Sequence, residues 1–268
     1  MPKSFLIAVI IFLLCYLWFR NFELRNIFLP TKKISQTPDI FGLDYQDIFF
    51  YTKDNIELNG WFLSADKNKH SLYTVLFSHG NAGNISYRIE KLVVLLQLGL
   101  NIFIYDYRGY GKSSGQPSEE GLYRDAEAAY EFLVNKMKIG PDRIIAYGES
   151  LGSVSAAFLA KNFKLKAVIL EGAFTNSKEI AKEIFPFLPG FFIRTKLDNL
   201  SNLSDCPTPK LFLHSKDDEI VPFKLAKRLF DNSAEPKYFS ILTGQHNNCF
   251  LDNYEHIKKV IADFLGRI

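Results

Sequence analysis

Few short stretches restrict a fold as tightly as Tyr147-Gly148-Glu149-Ser150-Leu151-Gly152. It lies between a β-branched run, Arg143-Ile144-Ile145-Ala146, and a small-residue apolar pattern over 153–160. The first neighbour reads as a strand, the second as a helix. A chain that passes from strand to helix in so few residues must turn sharply, with Ser150 at the apex in a strained backbone conformation. Residues two before and two after the apex then need almost no side chain, and Gly148 and Gly152 meet that need. The turn also places Ser150 at a helix N-terminus, where free N–H groups favour developing negative charge. A G-x-S-x-G pattern alone is equally compatible with a glycine-rich turn carrying an ordinary serine, so the remainder of the chain decides.

Around that turn the chain alternates strands and helices. Residues 47–52 and 56–63, joined by Lys53-Asp54-Asn55, read as a hairpin. Strands follow at 73–78, 101–105, 144–146, 167–170, 210–213 and 238–242, and helices at 86–98, 119–138, 153–161, 223–232 and 253–265. The helix over 86–98 carries an apolar stripe of Ile89, Leu92, Val93 and Leu96. The strands after the hairpin are continuous apolar runs, the pattern of a parallel sheet covered on both faces. The fold class is therefore α/β, with a mostly parallel, doubly wound sheet. Ligands in such sheets bind beyond the carboxyl ends of the strands. The rhythm breaks over 175–205, where Ile184-Phe185-Pro186-Phe187-Leu188-Pro189-Gly190-Phe191-Phe192-Ile193 is too apolar for a linker. This insertion reads as a small cap lining an apolar acyl pocket, with a satellite cluster packed on the core as the alternative.

Before the hairpin lies a different kind of segment. Residues 5–19 carry no charge, with Lys3 before them and Arg20 after. As a helix they cover ~23 Å, short of a ~30 Å hydrocarbon core, a gap that snorkelling side chains and local thinning can close. No small-residue cleavage site follows, since Cys15-Tyr16-Leu17-Trp18 is bulky, and Leu13-Leu14 before Cys15 makes a poor lipobox. Residues 1–22 are accordingly expected to be a retained single-pass membrane anchor, ahead of a cleaved signal or a core helix. Residues 23–44 are expected to form a connector with turn signals at Pro30, Pro38 and Gly42, and 45–268 one domain. Arg20, Arg25, Lys32 and Lys33 outnumber Lys3 and favour a cytoplasmic domain, but short N-terminal anchors often point the other way, so the side stays open. A net charge of +3 without basic runs gives no argument for nucleic acid. Cys206 and Cys249 fall at opposite strand ends, ~20 Å apart, and are expected to be free thiols.

Three further motifs each follow a strand. They are His79-Gly80-Asn81, His214-Ser215-Lys216-Asp217-Asp218-Glu219-Ile220-Val221-Pro222, and Thr243-Gly244-Gln245-His246-Asn247-Asn248. Together with the serine turn they resemble the α/β-hydrolase superfamily over about residues 45–268. His79-Gly80-Asn81-Ala82-Gly83-Asn84, Tyr105-Asp106-Tyr107-Arg108-Gly109-Tyr110-Gly111 and Leu170-Glu171-Gly172-Ala173-Phe174-Thr175 are similar to its small-cap, ABHD-type branch. In that family the order along the chain is serine, acid, histidine. His246 is the histidine in the required place, while His70, His79, His214 and His256 are not. Asp218 matches the aspartate four after the histidine in H-G-x-x-D-x-x-V-P, with Asp217 a near miss and Glu171 a fallback. The resemblance implies Ser150 as nucleophile, His246 as base and Asp218 as its orienting acid. The backbone N–H groups of Asn81 and Leu151 would form the oxyanion hole. Ser215 stands where the family usually has glycine, which should stiffen the acid loop.

The activity so implied is hydrolysis of a carboxylic ester or thioester of an apolar acyl group. The partner would be a small-molecule or lipid ester, or an acylated protein. The same residues serve a peptidase or acyltransferase equally well, and a non-catalytic hydrolase-fold protein that binds a lipid or partner is the alternative from another class. Gly109-Tyr110-Gly111-Lys112-Ser113 lacks the spacing of a phosphate loop, and no cluster has metal-ligand spacing, so no cofactor or metal is expected.

Overall fold

The computed structural model describes residues 3–65 and 72–268; the side chains at 3, 8, 12–15 and 17 are also outside the described set, as is His70. Helix α1 spans Lys3–Ile27 and leads to the two-residue strand β1 (Leu29–Pro30). The hairpin is β2 (Gln46–Tyr51) and β3 (Glu57–Leu63). Then come β4 (Thr74–Ser78), β5 (Ala82–Gly83), α2 (Ile89–Gln97), β6 (Asn101–Tyr105) and α3 (Glu119–Glu131). Strand β7 (Ile144–Glu149) feeds α4 (Gly152–Asn162), and β8 (Ala167–Glu171) precedes the cap helices α5 (Ser177–Ile184) and α6 (Asn199–Leu203). The chain closes with β9 (Lys210–Ser215), α7 (Phe223–Asn232), β10 (Lys237–Leu242), α8 (Cys249–Asp252) and α9 (Tyr254–Leu265).

Eight strands form one sheet in the order β10-β9-β8-β7-β4-β6-β3-β2, parallel from β10 to β6, with β3 and β2 antiparallel to their neighbours. Alternate residues of each central strand serve two separate cores, because successive side chains point to opposite faces. Val75, Phe77, Ile102, Ile104, Ile145 and Tyr147 pack with Leu92 and Ile261 on one face. Leu76, Phe103, Tyr105, Ile144 and Ala146 pack with Leu122 and Val154 on the other. Burial on both faces explains the unbroken apolar runs of these strands. The helix expected from residue 86 begins at Ile89, after a 3₁₀ turn (Ile85–Tyr87) whose start is capped by the Asn84 side chain. Its buried stripe runs through Ile89, Lys91, Leu92, Val94 and Leu95, leaving Val93 and Leu96 only partly covered.

The N-terminal region departs most from expectation. Helix α1 does not end near residue 22 but continues to Ile27, and its second half docks on the cap. The Phe19 ring stacks on Phe192 at 4.3 Å, and Phe22 meets Phe185 at 6.3 Å. The buried Glu23 carboxylate accepts from the Arg194 and Thr195 N–H groups at 2.9 and 2.8 Å and from the Thr195 hydroxyl at 2.7 Å. The segment after α1 is stitched to the loop after β4, where β1 and β5 form a separate two-stranded parallel sheet and Asn84 Nδ2 donates to the Thr31 and Lys33 carbonyls. Among the described residues no helix is long and apolar enough to cross a membrane.

Candidate active site

The carboxyl ends of β4, β7, β8, β9 and β10 lie side by side, with Ser78 opposite Gly148, Glu149 opposite Glu171, and Leu242 opposite Ser215. The serine turn and the motifs that hold His79, Asp218 and His246 each follow one of these ends. Ser150 has φ +50°, a conformation costly for a residue with a Cβ, and its N–H is tied to the Glu171 carbonyl at 2.8 Å. A Cβ on Gly148 would lie 2.5 Å from the Gly152 carbonyl oxygen, and one on Gly152 would lie 2.0 Å from that of Ser78. Both glycines are therefore required by backbone approaching backbone.

The loop after β10 brings His246 over this turn. Its Nε2 lies 3.1 Å from Ser150 Oγ and its Nδ1 2.6 Å from Asp218 Oδ2. A carboxylate only accepts, so Nδ1 carries the proton and Nε2 is free to receive one. The other Asp218 oxygen accepts from the N–H groups of Ile220 at 3.0 Å and Val221 at 2.7 Å. Burial pushes the Asp218 carboxyl up, but the His246 bond and charge and the Val221 N–H outweigh it, so it stays below its ordinary range. Burial lowers the His246 pKa, yet the bond to Asp218 and its charge, with Glu149 and Glu171 nearby, raise it on balance. Of the three candidate acids only Asp218 touches the imidazole. Asp217 accepts from the Gly244 N–H, and the Glu171 carboxylate is taken by Lys91 and Tyr147. Ser215 donates to the Gly244 carbonyl and accepts from the Asp217 N–H, fastening the acid loop to the histidine loop.

The turn after β4 completes the arrangement. Tyr107 donates to the His79 carbonyl at 2.7 Å and Tyr110 to that of Asn81 at 2.8 Å, holding the peptides on either side of the one that bears the Asn81 N–H, whose own carbonyl, that of Gly80, lies 2.7 Å from His79 Nδ1. Neither the Asn81 nor the Leu151 N–H donates to another group among the described residues. His79 is buried against Tyr107 and Tyr110, while His214 is engaged with the Val221 carbonyl and His256 with Ser240. Cys206 and Cys249 are buried free thiols, and burial pushes Cys249 up to about 12, so it stays protonated beside the site.

Two features escape the sequence. The first is a buried charge cluster under the serine turn. Lys91 donates to Glu149 and Glu171, each at 2.7 Å, and Arg88 Nε donates to Glu149 at 2.9 Å. A lysine inside the apolar stripe of α2 is the one local signal of it. The second is an apolar cavity of about 120 Å³ whose walls come from α1 (Phe19, Phe22, Ile27) as well as from the cap (Ile180, Phe185, Phe192). An acyl pocket was expected from the cap alone and over the serine; α1 supplies one wall, and Ser150, Asp218 and His246 do not line it. Among the described residues no group of three His, Cys, Asp or Glu side chains is placed to hold a metal ion.

The chain is similar to known proteins over most of its length. A family described by the α/β hydrolase fold matches residues 73–214. WAV2 of Arabidopsis thaliana, an α/β hydrolase domain-containing protein, is 31% identical over 92% of this chain and 88% of its own. An uncharacterized membrane protein of Saccharomyces cerevisiae is 36% identical over 85% of this chain and 82% of its own. An esterase of Pyrococcus furiosus superposes with a TM-score of 0.74 over 89% of this chain and 98% of its own, at 19% identity, which speaks for the fold. The sequence matches, the parallel sheet and the serine turn at its centre agree: this chain belongs to the α/β-hydrolase family.

Proposed function

We propose that the protein is a serine hydrolase that cleaves carboxylic esters or thioesters of apolar acyl groups. The observation that carries this reading is the continuous hydrogen-bonded path from Ser150 Oγ through His246 to Asp218, at 3.1 and 2.6 Å. In the proposed reaction His246 Nε2 takes the Ser150 proton as Oγ attacks the acyl carbon. The carbonyl oxygen becomes an oxyanion held by the Asn81 and Leu151 N–H groups. Collapse of the tetrahedral intermediate breaks the bond to the leaving group, which takes the proton from His246. Water, deprotonated by the same imidazole, then releases the acid from Ser150.

The apolar acyl class is supported by the exposed Phe187 and Phe191 of the cap. We further propose that the N-terminal half of α1 associates with a bilayer. Phe5, Leu6, Ile7, Ile10 and Ile11 are exposed along it, and a relative carries the name of a membrane protein. A fluorophosphonate probe should label the wild-type protein and leave Ser150→Ala unlabelled; equal labelling of both would remove Ser150 from the reaction. Hydrolysis rates on p-nitrophenyl esters of two to sixteen carbons then report the acyl preference.

A further inference from the structure

The charge cluster under the serine turn joins elements far apart in sequence. Glu149 immediately precedes Ser150, and its Oε2 accepts from the Gly80 N–H at 3.0 Å, one residue before Asn81. The same oxygen accepts from Arg88 Nε, whose Nη1 donates to the Ala82 carbonyl at 3.0 Å, one residue beyond Asn81. Glu171 holds Ser150 from the other side, its carbonyl accepting the Ser150 N–H at 2.8 Å while its carboxylate accepts from Tyr147 and Lys91. Gly172 follows it, and a Cβ there would come within 3.0 Å of the His246 ring. The Lys91 ammonium bridges the two carboxylates and also lies 5.0 Å from the Phe250 ring, on the short helix after the histidine loop.

We infer that Lys91 is a positioning residue of the reaction centre. By bridging Glu149 and Glu171 it fixes the Glu149 carboxylate, whose other oxygen holds the Gly80 N–H, and through it ties the serine turn to the turn after β4 and sets the spacing between the Asn81 and Leu151 N–H groups. Stability alone does not call for such a cluster, because well-packed apolar side chains of similar volume stabilise an interior as well as a buried ion pair does. What the ions add is direction. Each carboxylate oxygen is fixed by charge-assisted hydrogen bonds, and the backbone groups on either side of the reacting carbonyl are fixed with it. Oxyanion donors act only where they already point at the developing charge, so small displacements cost much of the rate.

The proposal rests on Ser150 as nucleophile, and its test separates the two. Lys91→Met and Glu149→Gln change the local charge in opposite senses, leaving one net negative and one net positive charge in the cluster. Both break the bridge. Positioning through the bridge predicts that both lower kcat on p-nitrophenyl butyrate by about 10–100-fold, with KM changed by less than about threefold. Rates are expressed per site labelled by fluorophosphonate, and thermal unfolding reports the folded fraction. A cluster acting only through its charge would move kcat in opposite directions in the two variants, and that result would overturn the proposal. So would a kcat within twofold of wild type in folded Glu149→Gln. If Lys91→Met does not fold, the near-isosteric Glu149→Gln decides. Failure of both to fold would assign the cluster to stability and overturn the proposal too. A wild-type protein that the probe does not label removes the reading of Ser150 itself, whereas a labelled wild type with an unaffected Glu149→Gln removes the positioning role alone.

Discussion

Asp218→Asn is the perturbation whose outcome the geometry determines most closely. Asp218 Oδ1 accepts two backbone N–H groups, from Ile220 and Val221, while Oδ2 faces His246 Nδ1 at 2.6 Å. An asparagine keeps its carbonyl oxygen toward the two N–H groups, because the amide NH₂ there would set donor against donor. Its NH₂ must then point at His246 Nδ1 and donate to it. The imidazole proton is forced onto Nε2, which can no longer accept from Ser150 Oγ. An inverted tautomer of this kind lowers kcat by about 10⁴-fold, or ~5.4 kcal/mol of barrier. Burial and packing change little, so the fold should survive. The assay is p-nitrophenyl butyrate hydrolysis at pH 8, with thermal unfolding as the control for integrity. Asp217→Asn, beside it but off the imidazole, should keep kcat within about threefold, in line with exposed substitutions. A folded Asp218→Asn that retains more than a tenth of wild-type kcat would refute the assignment of Asp218 as the residue that orients His246.

Three more perturbations probe different parts of the molecule. The proposed reaction needs neutral His246, and Asp218, Glu149 and Glu171 together raise its pKa against burial, so the acid limb of kcat/KM should have its midpoint above about 6.5; a midpoint below that value in a pH–rate profile would contradict the electrostatic reading of the site. Gly152→Ala sets a Cβ 2.0 Å from the Ser78 carbonyl oxygen, where only backbone can yield; urea unfolding should show a loss of about 3 kcal/mol or more, and a loss under 1 kcal/mol would mean that the turn adjusts freely. Glu23→Ala leaves the Arg194 and Thr195 N–H groups without their acceptor; it should cost about 2 kcal/mol and speed proteolysis around residues 185–195, and an unchanged digestion rate would separate the cap from α1.

Much of the site was legible in the sequence because its parts are set by local chemistry. Gly148 and Gly152 are spaced as a strand-to-helix turn requires. The Asp218 loop and His246 each follow an apolar strand and arrive in the family's order. The first of those strands could be recognised from the buried run Leu211-Phe212-Leu213, and the second, at the sheet edge and partly exposed, from Tyr238, Phe239, Ile241 and Leu242. Helix faces were read less well. The stripe of α2 was expected to include Val93 and Leu96, yet Lys91 and Val94 are the buried neighbours, since a partner pair of carboxylates makes room for the lysine. A stripe drawn from apolar residues alone omits a paired charge.

By itself the sequence determined the alternation of strands and helices after the hairpin, the parallel sheet, and that Ser150, a choice of acids and His246 stand at the ends of its strands. These follow from periodicity, glycine spacing and chain order, all of which act over a few residues. Tertiary structure alone decided that Asp218, not Asp217 or Glu171, faces His246. It also decided that Lys91 and Arg88 sit beneath Ser150, and that α1 walls the cavity of the cap. The physical reason is range. Lys91 and Glu171 are separated by 80 positions, and Glu23 and Thr195 by 172. A carboxylate has no sequence mark of the partner it will meet until the fold has brought their elements together.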